Sequence, residues 1–223
     1  MQPQGEDAVP ADNSPRWRRR SEARPGEILD AALDLFAEKG FAGTRMEEIA
    51  RRAGVTKGTV YLYYPGKEDV FRAVVQESVI PSLQQAERLV AEHTGDSASL
   101  MRGLLLNWWD RYGSLRMAGM AKLLMAEAGN FPELSHHYAE AVILRARRLF
   151  VSVLQRGMDA GEFRPLPVLE TARLAIAPLA HAAAYARSLA AFDPDPVDLG
   201  RYLELHIDIF LRGIAAEAPR SDA

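Results

Sequence analysis

From Pro25 onward the apolar residues of this chain recur at three- and four-residue intervals, and no alternating run of useful length appears. That period belongs to the α-helix and leaves no strand pattern, so an all-α fold without a sheet is expected. The 223 residues suffice to bury a core without disulfides or metals. With no cysteine, the chain lacks disulfide scaffolds, Cys-ligated zinc, iron–sulfur clusters and thiol catalysis. Apolar residues make up 48% and charged residues 26%, an ordinary globular balance that excludes global disorder. No internal repeat is present.

Punctuation divides the helical pattern. Pro25 suits a first turn; Ile28, Leu29, Ala32, Leu35 and Phe36 follow, and Lys39 with Gly40 supplies a stop. Thr44 opens a second helix, with Glu47 as partner in a capping box. Its apolar face is Met46, Ile49, Ala50 and Ala53, and Gly54 ends it. Thr56 can cap a third short helix that runs to Tyr64, before the breaker pair Pro65 and Gly66. A long helix is expected from Lys67 to His93, bent or broken at Pro81. Further helices are expected over Ser97 to Tyr112, Leu115 to Ala128, Asn130 to Asp159, Val168 to Leu189 with a kink at Pro178, and Val197 to Ala216.

Charge is unevenly spread along this order. Residues 1–15 carry three acids and no base; residues 16–72 carry 12 Lys/Arg against 9 Asp/Glu; the remainder carries 15 against 18, and the whole chain sums to -3. A wholly basic nucleic-acid coat is excluded, a local basic patch is not. Residues 1–24 read as a disordered tail whose run Arg16-Trp-Arg-Arg-Arg20 is either a solvated basic tail or an arm for nucleic-acid phosphates. The acidic start lacks the apolar run of a signal peptide. The longest apolar stretch, Leu174 to Ala186, is shorter than the roughly 20 residues of a spanning helix. A cytoplasmic protein without membrane contact is expected.

The informative segment is Thr44-Arg-Met-Glu-Glu-Ile-Ala-Arg-Arg-Ala-Gly-Val-Thr-Lys-Gly-Thr-Val-Tyr-Leu-Tyr-Tyr-Pro-Gly-Lys67. Two short helices around a glycine turn fit a helix-turn-helix. The second one holds a glycine, β-branched residues and tyrosines, which are poor helix formers. Val60 and Tyr64 read as core. The remaining hydroxyls, the ammonium of Lys57 and the bare backbone at Gly58 suit phosphates and base edges. Lys57 sits in the first turn, where a cation opposes the helix dipole unless an anion joins it.

The run from Phe36 to Phe71 around this segment resembles the DNA-binding domain of TetR/AcrR-family transcriptional regulators, over residues 25–72. More weakly, Met125 to Arg164, through Phe131-Pro-Glu-Leu134, resembles the C-terminal domain of one branch of that family. The resemblance implies a DNA-binding domain at 25–72, a helical effector-binding and dimerisation domain at 73–217, and a short tail at 218–223. It implies a homodimer, paired through its last two helices, on a palindrome of double-stranded DNA. Carried over by position, Thr44 contacts phosphate through its cap, Thr56, Lys57, Thr59, Tyr61 and Tyr63 face DNA, Gly58 allows close approach, Lys67 meets the backbone, and Arg45 lies near the groove. Family members often have histidine in place of Tyr63 and phenylalanine in place of Tyr64.

The body would then sense a small molecule, its chemistry unnamed by the sequence. Bulky and adaptable side chains are the candidates for its pocket: Met101, Leu105, Trp108, Tyr112, Met120, Met125, Phe131 and Tyr138. Trp109 points about 100° away from Trp108, so the two cannot share one pocket. In this reading the effector shifts the long helix from Lys67, and a repressor leaves its operator. Two rivals stand beside it. One is a ligand-blind DNA-binding protein. The other is a metal-binding or enzymatic protein, for which Glu133 with His137, or His136 with Glu140, have helical metal-ligand spacing. No phosphate loop, nucleophile elbow or His-Glu-x-x-His motif supports catalysis, and no cofactor is expected.

Overall fold

The computed structural model describes residues 16–112 and 128–217. Ten helices are described: α1 (Arg16–Gly43), α2 (Met46–Arg52), α3 (Lys57–Tyr63), α4 (Lys67–Val74), α5 (Ile80–Glu92), α6 (Ser97–Tyr112), α7 (Pro132–Tyr138), α8 (Arg145–Asp159), α9 (Val168–Ser188) and α10 (Leu199–Ile214). Among the described residues there is no strand beyond one isolated bridge, Phe163 with Ala215. The expected helix Leu115 to Ala128, apart from Ala128, lies outside the described residues, as do Met120, Met125, the tails 1–15 and 218–223, and the side chains of Arg16 to Arg20.

The starts of α1 and α2 differ from expectation. Helix α1 begins at Arg16, so Pro25 lies inside it instead of opening it. Gly40 still breaks the helix, at φ 79° and ψ 171°, a left-handed backbone that glycine adopts without a Cβ penalty. The second difference is at the start of α2. Arg45, not Thr44, is the N-cap, and its amide donates to Glu48 Oε2 at 3.2 Å.

The rod that begins at Lys67 is one continuous run of backbone. A π-helical segment, Val75–Val79, joins α4 to α5. Pro81 sits in the first turn of α5. It has no N–H for the carbonyl of Glu77, and its ring would crowd that carbonyl in a regular helix. Widening the preceding turn relieves both. A second π segment, Ala139–Leu144, joins α7 to α8.

Two cores result. The first gathers α1, α2, α3 and α4 around Phe36, Phe41, Ile49, Val60 and Phe71, and also takes Leu134, Tyr138 and Val142 from the α7–α8 run. The second packs α6, α8, α9 and α10 around Leu104, Phe150, Leu154, Ala175 and Ile207. Alanines on α9 (Ala172, Ala175, Ala182 and Ala183, all buried) let neighbouring backbones come close. Polar clasps tie the connections. Arg145 binds Glu87 through Nε (2.5 Å) and Nη2 (2.7 Å), joining α8 to α5. The Arg156 guanidinium donates to the carbonyls of His93 (3.2 Å) and Gly95 (2.6 Å) beyond the end of α5.

Candidate DNA-binding site

The turn between α2 and α3 explains its own sequence. Ala53 ends α2, Gly54 takes φ +66°, and the amides of Gly54 and Val55 donate to Arg51 (3.3 Å) and Ala50 (3.0 Å). This is a Schellman closure, which wants glycine at the left-handed position. Thr56 then caps α3: its hydroxyl oxygen accepts from Thr59 N at 3.1 Å, and the two threonine hydroxyls lie 2.8 Å apart.

Val60, wholly buried, pins α3 to the first core. At about 100° per residue the rest of the helix is placed by that anchor. Gly58 and Leu62 face directly away from the protein. Lys57 and Tyr61 form one flank, Thr59 and Tyr63 the other. Tyr61 is exposed and Tyr63 half-buried against the first core, its ring 6.4 Å from that of Tyr64. Burial pushes the Tyr64 phenol up.

The unfavourable placement of Lys57 against the helix dipole is answered within the protein. Its Nζ lies 2.5 Å from Glu47 Oε1 and 5.6 Å from the centre of the Tyr61 ring. The hydrogen bond to Glu47 raises the lysine and lowers the carboxyl. Gly58 has no such internal reason. A Cβ there would meet only Thr56 Oγ1, at 3.9 Å, an ordinary contact. Arg45 at the N-cap of α2 and Arg51 within it are both exposed, and among the described residues Arg51 has a loose ion pair with Glu48, at 3.8 Å.

Two expected phosphate contacts are corrected by the geometry. Thr44 is 1% exposed, and its hydroxyl donates to the carbonyls of Gly40 (2.7 Å) and Leu35 (3.2 Å). It closes the turn after α1 and has no surface to offer. Lys67 turns inward as well. Its Nζ donates to the carbonyls of Phe41 (2.6 Å) and Thr44 (2.9 Å) and stands 4.5 Å from the Phe41 ring centre. It holds carbonyls that the end of α1 leaves without helical partners. We expect Lys67→Met to lower stability by about 1.5–3 kcal/mol, the range for hydrogen bonds to a charged group. It should leave the salt slope of DNA binding unchanged, whereas loss of a phosphate contact lowers that slope by about 0.9. Urea unfolding and titrations at several salt concentrations check both.

Sequence reasoning missed Leu62. It is 79% exposed at the centre of the outward face, and the signal was available: it stands two residues from a core valine on a helix.

The pocket candidates are not brought together as one set. Met101 and Leu105 are buried in the second core with Trp108 packed on it. Tyr112 is exposed. Phe131 and Tyr138 belong to the first core, where Phe131 meets Phe41 edge-on at 4.7 Å between centroids. They lie on α7 and the residue before it, which dock against the short N-terminal helices. Among the described residues no group of three or more metal-ligating side chains converges, and His136 Nε2 stands 3.3 Å from Glu140 Oε1 as an exposed contact along one helix face. No described helix is long and apolar enough to cross a membrane.

Known proteins share this arrangement. The sequence model of bacterial tetR-family regulatory proteins matches residues 28–74, and that of the AefR-like transcriptional repressor C-terminal domain matches residues 100–213. The chain is 30% identical over 155 residues to YfiR of Bacillus subtilis, an uncharacterized HTH-type transcriptional regulator, across 69% of this chain and 75% of that one. It is 46% identical to the HTH-type regulator RutR of Escherichia coli over 59 residues, 26% of this chain and 28% of that one. Among solved structures, FadR of Bacillus subtilis in complex with stearoyl-CoA superposes with a TM-score of 0.69 at 19% identity, covering 85% of this chain and 98% of that one. NalD of Pseudomonas aeruginosa, the secondary repressor of a multidrug efflux pump, gives 0.68 at 24% identity, covering 89% and 100%. The N-terminal and C-terminal models together span the helix-turn-helix and most of the helical body, so the chain belongs to the TetR family of bacterial transcriptional regulators.

Proposed function

We propose that this DNA-binding regulator acts as a homodimeric repressor. Residues 25–72 read a palindromic operator, one α3 from each subunit, and residues 73–217 pair the subunits and bind a small-molecule effector that releases the DNA. The observation that carries this reading is the outer surface of α9 and α10. Leu174 is 61% exposed on α9, with Ala177 and His181 on the same face; Leu205 and Ile209 on α10 are 55% and 61% exposed. Leu203 and Ile207 meanwhile fill the inner face of α10. Two adjacent helices with apolar residues on both faces suit the seam of a four-helix dimer. A two-fold dimer places its two reading helices on a palindrome, with half-sites about 34 Å apart.

The contacts with DNA are assigned to Thr56, Lys57, Gly58, Thr59 and Tyr61, with Tyr63 and Arg45 at the edges. The effector site is assigned to the second core near Met101, Leu105 and Trp108. Because FadR holds stearoyl-CoA, a long-chain acyl thioester is the first compound to screen. Effector and DNA then oppose each other through one coupling energy, equal in both directions.

The test is a footprint on the DNA flanking the regulator's own gene, at two salt concentrations. A protected palindrome is expected, weakened by salt. Lys57→Ala should cost about 1–3 kcal/mol of affinity per half-site. Absence of protection at both salts on that DNA and on a selected DNA library would overturn the reading.

A further inference from the structure

We infer that Leu62 reads the C5-methyl group of a thymine in each half-site, and that Gly58 brings the helix close enough for it to do so. This rests on the reading of α3 as the helix that enters the major groove. Position comes first. Gly58 and Leu62 each stand about 160° from the buried anchor Val60, on either side of the line that points straight out. Whatever α3 docks against meets these two residues before any other.

Exposure comes second. Leu62 is the most exposed large apolar residue of α2, α3 and α4, at 79% against 42% for Tyr61. It lies outside both cores, so packing gives no reason for leucine there. A solitary surface leucine is ordinary elsewhere on a protein; here it occupies the middle of a face whose flanks carry Lys57, Thr59 and the Tyr61 hydroxyl.

Chemistry comes third. The edges of base pairs in the major groove offer donors and acceptors to those polar flanks, and one apolar group, the thymine methyl. A leucine has no hydrogen bond to give, so a polar base edge opposite it would lose its water without compensation. Only thymine turns that burial into a gain. The bare backbone of Gly58, one turn earlier on the same face, removes the side chain that would otherwise hold Leu62 off the bases. Leu62 therefore acts as a specificity residue.

The experiment uses the full-length protein and a duplex selected from a random library for tightest binding. Each thymine of one half-site is replaced in turn by deoxyuridine, which removes the methyl group and nothing else. One position is expected at which the replacement weakens binding about fourfold, the value for one buried methyl. Leu62→Ala should melt at the same temperature as the wild type, bind the thymine duplex at least fourfold more weakly, and no longer distinguish thymine from uracil at that position. The proposal is overturned if no thymine is sensitive, or if Leu62→Ala keeps the full preference for the methyl group. Lys57→Ala separates the two readings. If it weakens binding while Leu62→Ala changes nothing, Leu62 alone is misassigned; if the wild type selects no sequence, the assignment of α3 fails and this one with it.

Discussion

Phe41→Ala is expected to lower stability by about 3–5 kcal/mol, the upper range for truncating a buried aromatic. The ring is 1% exposed. Its centroid lies 5.5 Å from that of Phe36, 5.8 Å from Phe71 and 4.7 Å from Phe131, and the Lys67 ammonium stands over it. These neighbours come from α1, α4 and the residue before α7. No single element can slide in to refill the space, so the cavity persists and its cost adds to the lost transfer energy. The residue also joins two parts of the molecule. Phe131 brings the helical body against the short N-terminal helices, and Phe41 O is one of the carbonyls that Lys67 holds. Urea unfolding gives the loss as a shift in midpoint. Phe131→Ala is the control: that ring is only half-buried, and its truncation should cost clearly less.

Periodicity made the helices legible, and glycine and proline marked their ends. Gly40 and Gly54 take positive φ, so these two expected glycine stops correspond to real reversals, whereas Gly66 breaks the chain in an extended conformation at φ -148°. Less legible was which of two adjacent polar residues caps a helix. Thr44 and Arg45 fit the pattern one residue apart; threonine is the better cap in isolation. The tertiary structure buries Thr44 and gives it two carbonyls, and the capping place passes to Arg45. Lys67 was misread for a similar reason. A lysine near a DNA-facing helix looks like a phosphate ligand until the fold sets open carbonyls beside it. The described pocket candidates other than Tyr112 divide between two cores on a third ground: bulk and adaptability describe side chains, not neighbours. Phe131 and Tyr138 share the chemistry of Trp108, yet α7 docks on the first core and α6 on the second. Leu62 was overlooked because polar groups drew attention on a helix whose outermost side chain is apolar.

The second large effect is a pair of opposite signs at one residue. Gly58→Ala should stabilise the protein, by at most about 1 kcal/mol, the helix-propensity difference between glycine and alanine. Nothing in the fold resists it: Gly58 has no positive φ, and a new Cβ meets one hydroxyl oxygen at van der Waals distance. The same methyl group should cost about 1–3 kcal/mol of DNA affinity per half-site, the scale of one mismatched base pair, and should count twice in a two-fold dimer. A thermal melt and a DNA titration read the two signs separately. Gly54→Ala is the useful contrast, since its φ of +66° strains any L-residue and should cost about 1 kcal/mol of stability with no groove contact to lose. If Gly58→Ala is more stable and binds as the wild type does, α3 touches DNA through its flanks and the outward line through Gly58 and Leu62 stands clear of the bases. If affinity falls as stability rises, that glycine is retained against the preference of its own helix, and the partner that requires it is the DNA.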